Sequence, residues 1–181
     1  LNPDGSGHLA PFTPQRVDYS LARPAHYTAT DPVHFQNHVL FTNYQFYIDE
    51  FEACARSALA DPASGYTAFV GPGNMEITDA DGILPTFPKM PQMPTYHLKR
   101  RGGQGITLVN IGVGPSNAKT ATDHIAVLRP HAWLMVGHCG GLRQSQRIGD
   151  YVLAHAYLRQ DRILDGAVPP DIPIPALAEV Q

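Results

Sequence analysis

Cysteine is scarce in this chain: Cys54 and Cys139 are the two in 181 residues, and neither belongs to a Cys-x-x-Cys pair. That density excludes a disulfide framework and leads us to expect a reducing, cytoplasmic setting. Charge is scarce as well, 16% of residues against about 25% in ordinary globular domains. The formal net charge is −3 and no block of like charges occurs, so neither nucleic acid nor an acidic membrane surface is an expected partner. Long apolar runs are missing. Nothing approaches the roughly 20 residues that cross a bilayer, and the first residues have neither the basic stretch nor the apolar run of a secretory leader. The nine histidines form no His-x-x-His or His-Glu-x-x-His pair, so the usual signal for a zinc site is lacking, and no metal or cofactor is expected.

What the chain does contain is turn chemistry, with 17 prolines and 16 glycines. Residues Leu1 to about Ser20 combine Gly, Pro, Asp and Ser without an apolar period and are expected to be a linker or arm. The run His38 to Thr42 reads as a strand. Asn43 is placed to cap a helix whose apolar side is Tyr47, Phe51, Ala55 and Ala58 and which ends before Asp61-Pro62. Tyr66 to Val70 and Met75 to Ile77 are short strands split by Gly71-Pro72-Gly73, and Pro85 to Pro94 is a loop. Thr95 to Lys99 and Ile106 to Ile111 flank a glycine-rich connection that reads as a hairpin.

The second of those strands runs into Gly112-Val113-Gly114-Pro115-Ser116, with Ser116 placed to cap a helix carrying Ala118, Ala121, Ile125 and Leu128 on one side and stopped at Arg129-Pro130. Trp133 to Val136 is continuously apolar and is expected to be a buried central strand. A sharp turn is expected at Gly140-Gly141, a strand over Tyr151 to Leu158 paired with Arg162 to Leu164, an extended stretch over Pro169 to Pro175, and the start of a helix from Ala176 to Gln181. Strand, loop, helix and strand in this order predict an α/β fold in one domain.

The order Gly112-Val-Gly-Pro-Ser, amphipathic helix, Trp133-Leu-Met-Val-Gly-His-Cys-Gly-Gly-Leu142 and Ile148-Gly-Asp-Tyr-Val-Leu-Ala-His-Ala-Tyr157 resembles the nucleoside phosphorylase and nucleosidase superfamily, from about Tyr19 to Gln181. Within it the likeness is greatest to the branch that hydrolyses AMP to adenine and ribose 5-phosphate. The resemblance implies a three-layer α/β/α domain with a mixed central sheet, incomplete at the C-terminus, residues 21–181 being the N-terminal half of a nucleoside phosphorylase-like catalytic domain. It also implies a homo-oligomer, specifically a homohexamer, with ATP and phosphate as effectors. It further implies a general acid and a ribose-gripping Met-Glu pair, both expected beyond residue 181. Asp150, Asp161, Asp165 and Asp171 do not match that acid by context, so the catalytic acid is unassigned.

The resemblance also gives roles to residues within the chain. The Gly137 to Gly141 turn would lay its backbone against base and ribose, which points to His138, Gly140 and Gly141. The Gly112 to Ser116 loop, at a helix N-terminus, would offer amides to an electron-rich oxygen, centred on Gly114. Phosphorylases of the superfamily place an Arg two positions ahead of the Gly137 turn, and a Gly-Asp-Pro with a downstream Arg in the loop after the first strand. Here those places are Met135 and the stretch Thr42 to Phe46. A phosphate dianion held in a partly dry pocket needs fixed positive charge, whereas water needs only hydrogen bonds, which Asn43, Tyr44, Gln45 and His138 can supply. Hydrolysis is therefore favoured over phosphorolysis. For the 5′-phosphate of the substrate the resemblance singles out Arg23 and His26, reaching into a neighbouring subunit, with Arg143 and Arg147 as second candidates.

Several alternatives stay open on the residues alone. His26 also reads as a surface histidine, Arg143 and Arg147 as a solvated face, and Cys139 as a small core residue rather than a nucleophile. A dinucleotide fold is disfavoured because Asn117 stands where the third glycine of Gly-x-Gly-x-x-Gly belongs. A nucleoside phosphorylase and a non-catalytic nucleotide-binding fragment remain the alternatives to a hydrolase.

Overall fold

The computed structural model describes residues 12–85 and 89–176, arranged as two units, Leu1–Val136 and Gly137–Gln181. In the first unit a helix, α1 (Pro14–Thr28), is followed by strand β1 (His38–Thr42) and helix α2 (Gln45–Ala60). Strands β2 (Tyr66–Gly71), β3 (Met75–Ile77), β4 (Thr95–Arg100) and β5 (Ile106–Asn110) come next, then helix α3 (Pro115–Ile125) and strand β6 (Ala132–Met135). The six strands form one sheet in the order β3-β2-β4-β5-β1-β6. β1 runs parallel to β5 and β6, whereas β2 with β3, β2 with β4, and β4 with β5 are antiparallel, so the sheet is mixed.

Alternation along the strands divides the core into two faces. Val39, Phe41, Val109 and Ile111 pack with Ala121 and Ile125 of α3, and Val17, Leu21 and Tyr27 of α1 lie against the same cluster. On the opposite face Leu98, Leu108, Tyr96 and Phe69 pack with Ile48 and Ala55 of α2. The result is the expected three-layer α/β/α arrangement. The fully buried large side chains among them, such as Val39, Phe69 and Val109, each contribute on the order of 1.5–3 kcal/mol of apolar transfer energy.

The arm expected over residues 1–20 is, from Thr13 onward, the capped start of α1. Thr13 Oγ1 accepts from the amide of Arg16 at 3.3 Å, and Pro14 takes the first helical position, where its missing N–H costs nothing. The apolar stripe of Val17 and Leu21 is short, and Pro24 interrupts it, so the segment carries little helical period. Ala29 in the left-handed region (φ 54°) ends the helix, its amide donating to Ala25 O.

Both expected helix caps shift. The N-cap of α2 is Tyr44 rather than Asn43, and the cap residue's own side chain makes no capping hydrogen bond. α3 is capped by Gly114 (φ 100°), with Pro115 first in the helix and Ser116 second, and no side chain caps it. The stop at Arg129-Pro130 holds, with Arg129 at φ 50°.

β6, expected as a buried central strand, is the last strand of the sheet among the described residues, the open side of the incomplete sheet that the resemblance implies. It pairs with β1 and leaves Trp133 37%, Leu134 44% and Met135 49% exposed. An edge strand is half-covered however apolar its sequence, because burial depends on a neighbour on each side.

In the second unit β7 (Ala156–Tyr157) and β8 (Ile174–Pro175) form a two-stranded antiparallel ribbon. The strand expected over Tyr151 to Leu158 is thus reduced to its end, and its partner is Ile174–Pro175, not Arg162 to Leu164. Arg162 lies at φ 63°, and Asp161 Oδ1 accepts from the amide of Ile163 at 2.8 Å, a local turn that competes with pairing. The extended stretch expected over Pro169 to Pro175 survives only as β8, since the amide of Ile172 turns back to Pro169 O. Gly140 and Gly141 are not in the left-handed region and make no sharp turn. The turn falls at Arg143 to Gln146, where the amide of Gln146 donates to Arg143 O and Gln146 Oε1 accepts from the amide of Arg143. The helix expected over Ala176 to Gln181 falls, from 177 on, outside the described residues.

Candidate active site

Three parallel strands, β5, β1 and β6, end along the same edge of the sheet. Thr42 lies opposite Asn110 and Phe41 opposite Met135. Carboxyl ends of parallel strands are where open α/β sheets bind ligands, because the outgoing loops part there and leave backbone groups unpaired. The ladder continues one step past the strands, with the amide of Ile111 donating to Thr42 O at 2.8 Å and that of Val136 to Phe41 O at 2.8 Å.

Two side chains shape the outgoing loops. Thr42 Oγ1 accepts from the amide of Tyr44 at 3.2 Å, and Asn110 Oδ1 accepts from the amide of Gly112 at 3.0 Å. Asn43, Tyr44, Gln45 and Phe46 are exposed at the start of α2, and Val113, Gly114, Pro115 and Ser116 at the start of α3. Open space surrounds Gly114, where an added Cβ meets nothing within 4 Å. Asn117 Nδ2 donates to Val113 O at 3.4 Å and Asn117 Oδ1 accepts from Gln92 Nε2 at 3.3 Å, so the first turn of α3 is braced from the side and its leading amides point away from the helix. No lysine or arginine occurs in Thr42 to Phe46 or Gly112 to Ser116. The edge thus offers amides, a hydroxyl and carboxamides, a set suited to a polar, uncharged group. Sequence reasoning missed Thr42 and Asn110; a Thr or Asn closing a strand just ahead of a polar or Gly-rich loop is the signal that marks them.

Arg23 and His26 sit on α1 rather than on an arm. Arg23 Nη2 donates to Tyr27 Oη at 2.6 Å, and the guanidinium lies 4.8 Å from the Tyr27 ring centroid and 5.8 Å from that of Tyr19. These contacts hold its pKa above the usual value, the Tyr27 hydrogen bond foremost. Arg23 Nε is buried without a hydrogen-bond partner and no carboxylate pairs with the group among the described residues. His26 is exposed, its ring edge-on to Tyr27 at 5.0 Å.

In the second unit His138, Gly140 and Gly141 are exposed, with open space around Gly140. Arg143 and Arg147 are exposed as well, Arg147 donating its amide to Asp150 Oδ2 at 2.8 Å. Cys139 is exposed, which overturns the core reading for it, and Cys54 is an exposed free thiol on α2. Among the described residues no group of three or more His, Cys, Asp or Glu could hold a metal.

Under α1 lies a polar cluster that sequence reasoning also missed. His97 on β4 is fully buried between Thr107 Oγ1, 2.9 Å from Nδ1, and Thr30 Oγ1, 3.0 Å from Nε2. Burial pushes its pKa well below the usual imidazole value, and the nearby His34 and Lys99 push the same way. His34 and His124 are also shifted down, each chiefly by burial.

Residues 76–180 match the family described as Phosphorylase superfamily. The AMP nucleosidases of Escherichia coli strain K12 and Escherichia coli O157:H7 are each 57% identical to the chain over 189 aligned positions, which cover 98% of this chain and 39% of theirs. The chain thus spans well under half the length of these relatives. A crystal structure of AMP nucleosidase from Bacteroides thetaiotaomicron VPI-5482 superposes with a TM-score of 0.61 over 87% of this chain and 55% of that one, at 23% identity, a likeness of fold.

Proposed function

The chain belongs to the phosphorylase superfamily, and from that premise we propose that it forms part of an enzyme that hydrolyses the N-glycosidic bond of AMP, releasing adenine and ribose 5-phosphate. The observation that carries this reading is the identity, along nearly the whole chain, to two proteins named for that activity.

The choice of water over phosphate as acceptor rests on the missing cations. Met135 and the loop Thr42 to Phe46 supply no fixed positive charge at the carboxyl edge of the sheet, and an unpaired phosphate dianion there would be strongly disfavoured. Asn43 and Tyr44, beside the amides of the Gly114 loop, are suited to hold a water molecule by hydrogen bonds alone. The departing base leaves an oxocarbenium-like ribosyl centre that this water attacks. The 5′-phosphate is assigned to Arg23 and His26, since Arg23 carries a guanidinium with no carboxylate partner among the described residues. His138, Gly140 and Gly141 are assigned to the nucleotide as well, Gly140 and Gly141 through their backbone. A homohexamer, ATP and phosphate as effectors, a cytoplasmic location, and residues 21–181 as the first half of the catalytic domain belong to the same reading.

Incubation of the protein with AMP and labelled phosphate tests it. Ribose 5-phosphate without label is the expected product, and ribose 1,5-bisphosphate would overturn the hydrolytic assignment.

A further inference from the structure

The hydrogen bonds around His97 have only one self-consistent direction. The amide of Gln36 donates to Thr107 Oγ1 at 2.8 Å, so the Thr107 proton goes to its other partner, His97 Nδ1. Nδ1 is therefore an acceptor, Nε2 carries the ring proton, and that proton is donated to Thr30 Oγ1. The Thr30 proton is then free for Thr28 Oγ1 at 2.9 Å, and the Thr28 proton for Pro24 O at 2.7 Å. The opposite tautomer would leave the Thr107 hydroxyl proton without an acceptor inside a dry core, at the full cost of desolvating it. Gln36, Thr107, His97, Thr30 and Thr28 are all buried, so water does not substitute for a missing link.

This chain of donors joins the sheet to the C-terminal half of α1. It starts on the segment before β1, crosses β5 and β4, and ends on Pro24 O, one residue from Arg23 and two from His26. The amide of Met93, bonded to Tyr27 O at 2.9 Å, adds a second tie to the same turn. Pro24 interrupts the helix's own ladder there, having no N–H to give. The turn that carries Arg23 and His26 is thus held partly from outside the helix.

We propose that His97 is a positioning residue, which through Thr30 and Thr28 fixes the last turns of α1 and so aims Arg23 and His26 at the 5′-phosphate of the nucleotide. The inference rests on the phosphate assignment made above for those two residues. The groups facing His97 are His34, with ring centroids 5.9 Å apart, and Lys99 on its own strand, while Phe35 packs edge-on at 4.8 Å. No carboxylate faces it among the described residues, so nothing there stabilises an imidazolium.

Two substitutions test the inference in the intact protein. Thr30→Val keeps the shape and removes the acceptor of the Nε2 proton. His97→Gln supplies a carbonyl acceptor and an NH2 donor for the two threonine links but cannot titrate. With Thr30→Val, KM for AMP should rise about tenfold, kcat should stay within about twofold, and KM for adenosine, which has no phosphate, should not move. His97→Gln should keep the wild-type KM for AMP. Amide exchange across residues 20–28, corrected for intrinsic rates, should quicken in Thr30→Val and not in His97→Gln, and the imidazole 15N shifts of wild-type His97 should show a bare Nδ1 and a protonated Nε2. Unchanged exchange in folded Thr30→Val, or a protonated Nδ1, overturns the clamp. Equal rises in KM for AMP and adenosine overturn its link to phosphate. Failure of the wild-type protein to hydrolyse AMP refutes the functional reading instead, and leaves exchange and 15N shifts to decide on the clamp.

Discussion

Thr42 and Asn110 face each other on the last rung of the parallel pair β1 and β5, and each turns its side chain onto the loop that leaves its own strand: Thr42 Oγ1 takes the amide of Tyr44, Asn110 Oδ1 that of Gly112. The two loops proposed to hold the attacking water are thereby shaped by adjacent residues of one sheet edge, not by the loops themselves.

Replacing Thr42 by Val should therefore loosen the start of α2 without opening a cavity, since Thr42 is fully buried and Val fills the same volume. The expected cost is about 1 kcal/mol of stability for the lost acceptor, read as a shift of the urea midpoint. Turnover of AMP should fall further than that loss explains, because the amide of Tyr44 loses the acceptor that sets its place in the loop. A variant equal to wild type in kcat would remove Tyr44 from the reaction.

Arg23→Ala should weaken AMP by about one to two powers of ten, the range for a charge-assisted contact to phosphate, and leave adenosine nearly unaffected. Parallel binding isotherms for the two ligands separate this from a folding effect, which would weaken both. If the residue serves a neighbouring subunit, mixing Arg23→Ala protomers with protomers disabled elsewhere in the site should recover activity.

Gly140→Val should fold normally. An added Cβ there meets nothing within 4 Å, and the backbone is outside the left-handed region. Circular dichroism should be unchanged while nucleotide binding is lost, because a branched side chain then stands where the backbone is proposed to meet base and ribose. Unaltered binding in the folded variant would exclude Gly140 from the ligand contact.

Acid should destabilise the fold from about pH 6.5 downward. An unfolded histidine titrates near 6.5, whereas His97, and less strongly His34 and His124, titrate lower in the folded chain. Between those values the unfolded state binds more protons, so unfolding free energy falls as pH falls, by up to about 1.4 kcal/mol per pH unit for a group still neutral when folded. More than about one pH unit above 6.5 the unfolded histidines are neutral too, and the three contribute no slope. Urea midpoints at pH 7.5 and 5.5 measure this, and His97→Gln should flatten the difference. An unchanged difference would mean that His97 titrates normally in the fold.

The strands β1 to β5 and the helix α3 were legible from period and punctuation: Gly71-Pro72-Gly73 splitting Tyr66 to Val70 from Met75 to Ile77, glycines between Arg100 and Ile106, and the spacing of Ala118, Ala121, Ile125 and Leu128. These signals are local, since each depends on residues within one or two turns of one another. Capping was less legible. Asn43 and Ser116 have capping side chains, but the caps are Tyr44 and Gly114, because the sheet ladder carries on past Thr42 to Ile111 and past Phe41 to Val136 and sets where each helix can start.

The apolar content of Trp133 to Met135 was in the sequence, whereas its pairing beside β1, and so its place next to β5 across that strand, was decided by strand order. His97 shows the same division. Its place in the strand Thr95 to Arg100 could be read from neighbouring residues, whereas its neutral, single-tautomer state depends on Thr30, 67 positions away, and on Thr107, ten positions away across a hairpin. Residue type and local period determine which element a segment forms. Only the packing of elements distant in sequence determines which polar groups lose water, and so which of them must find each other.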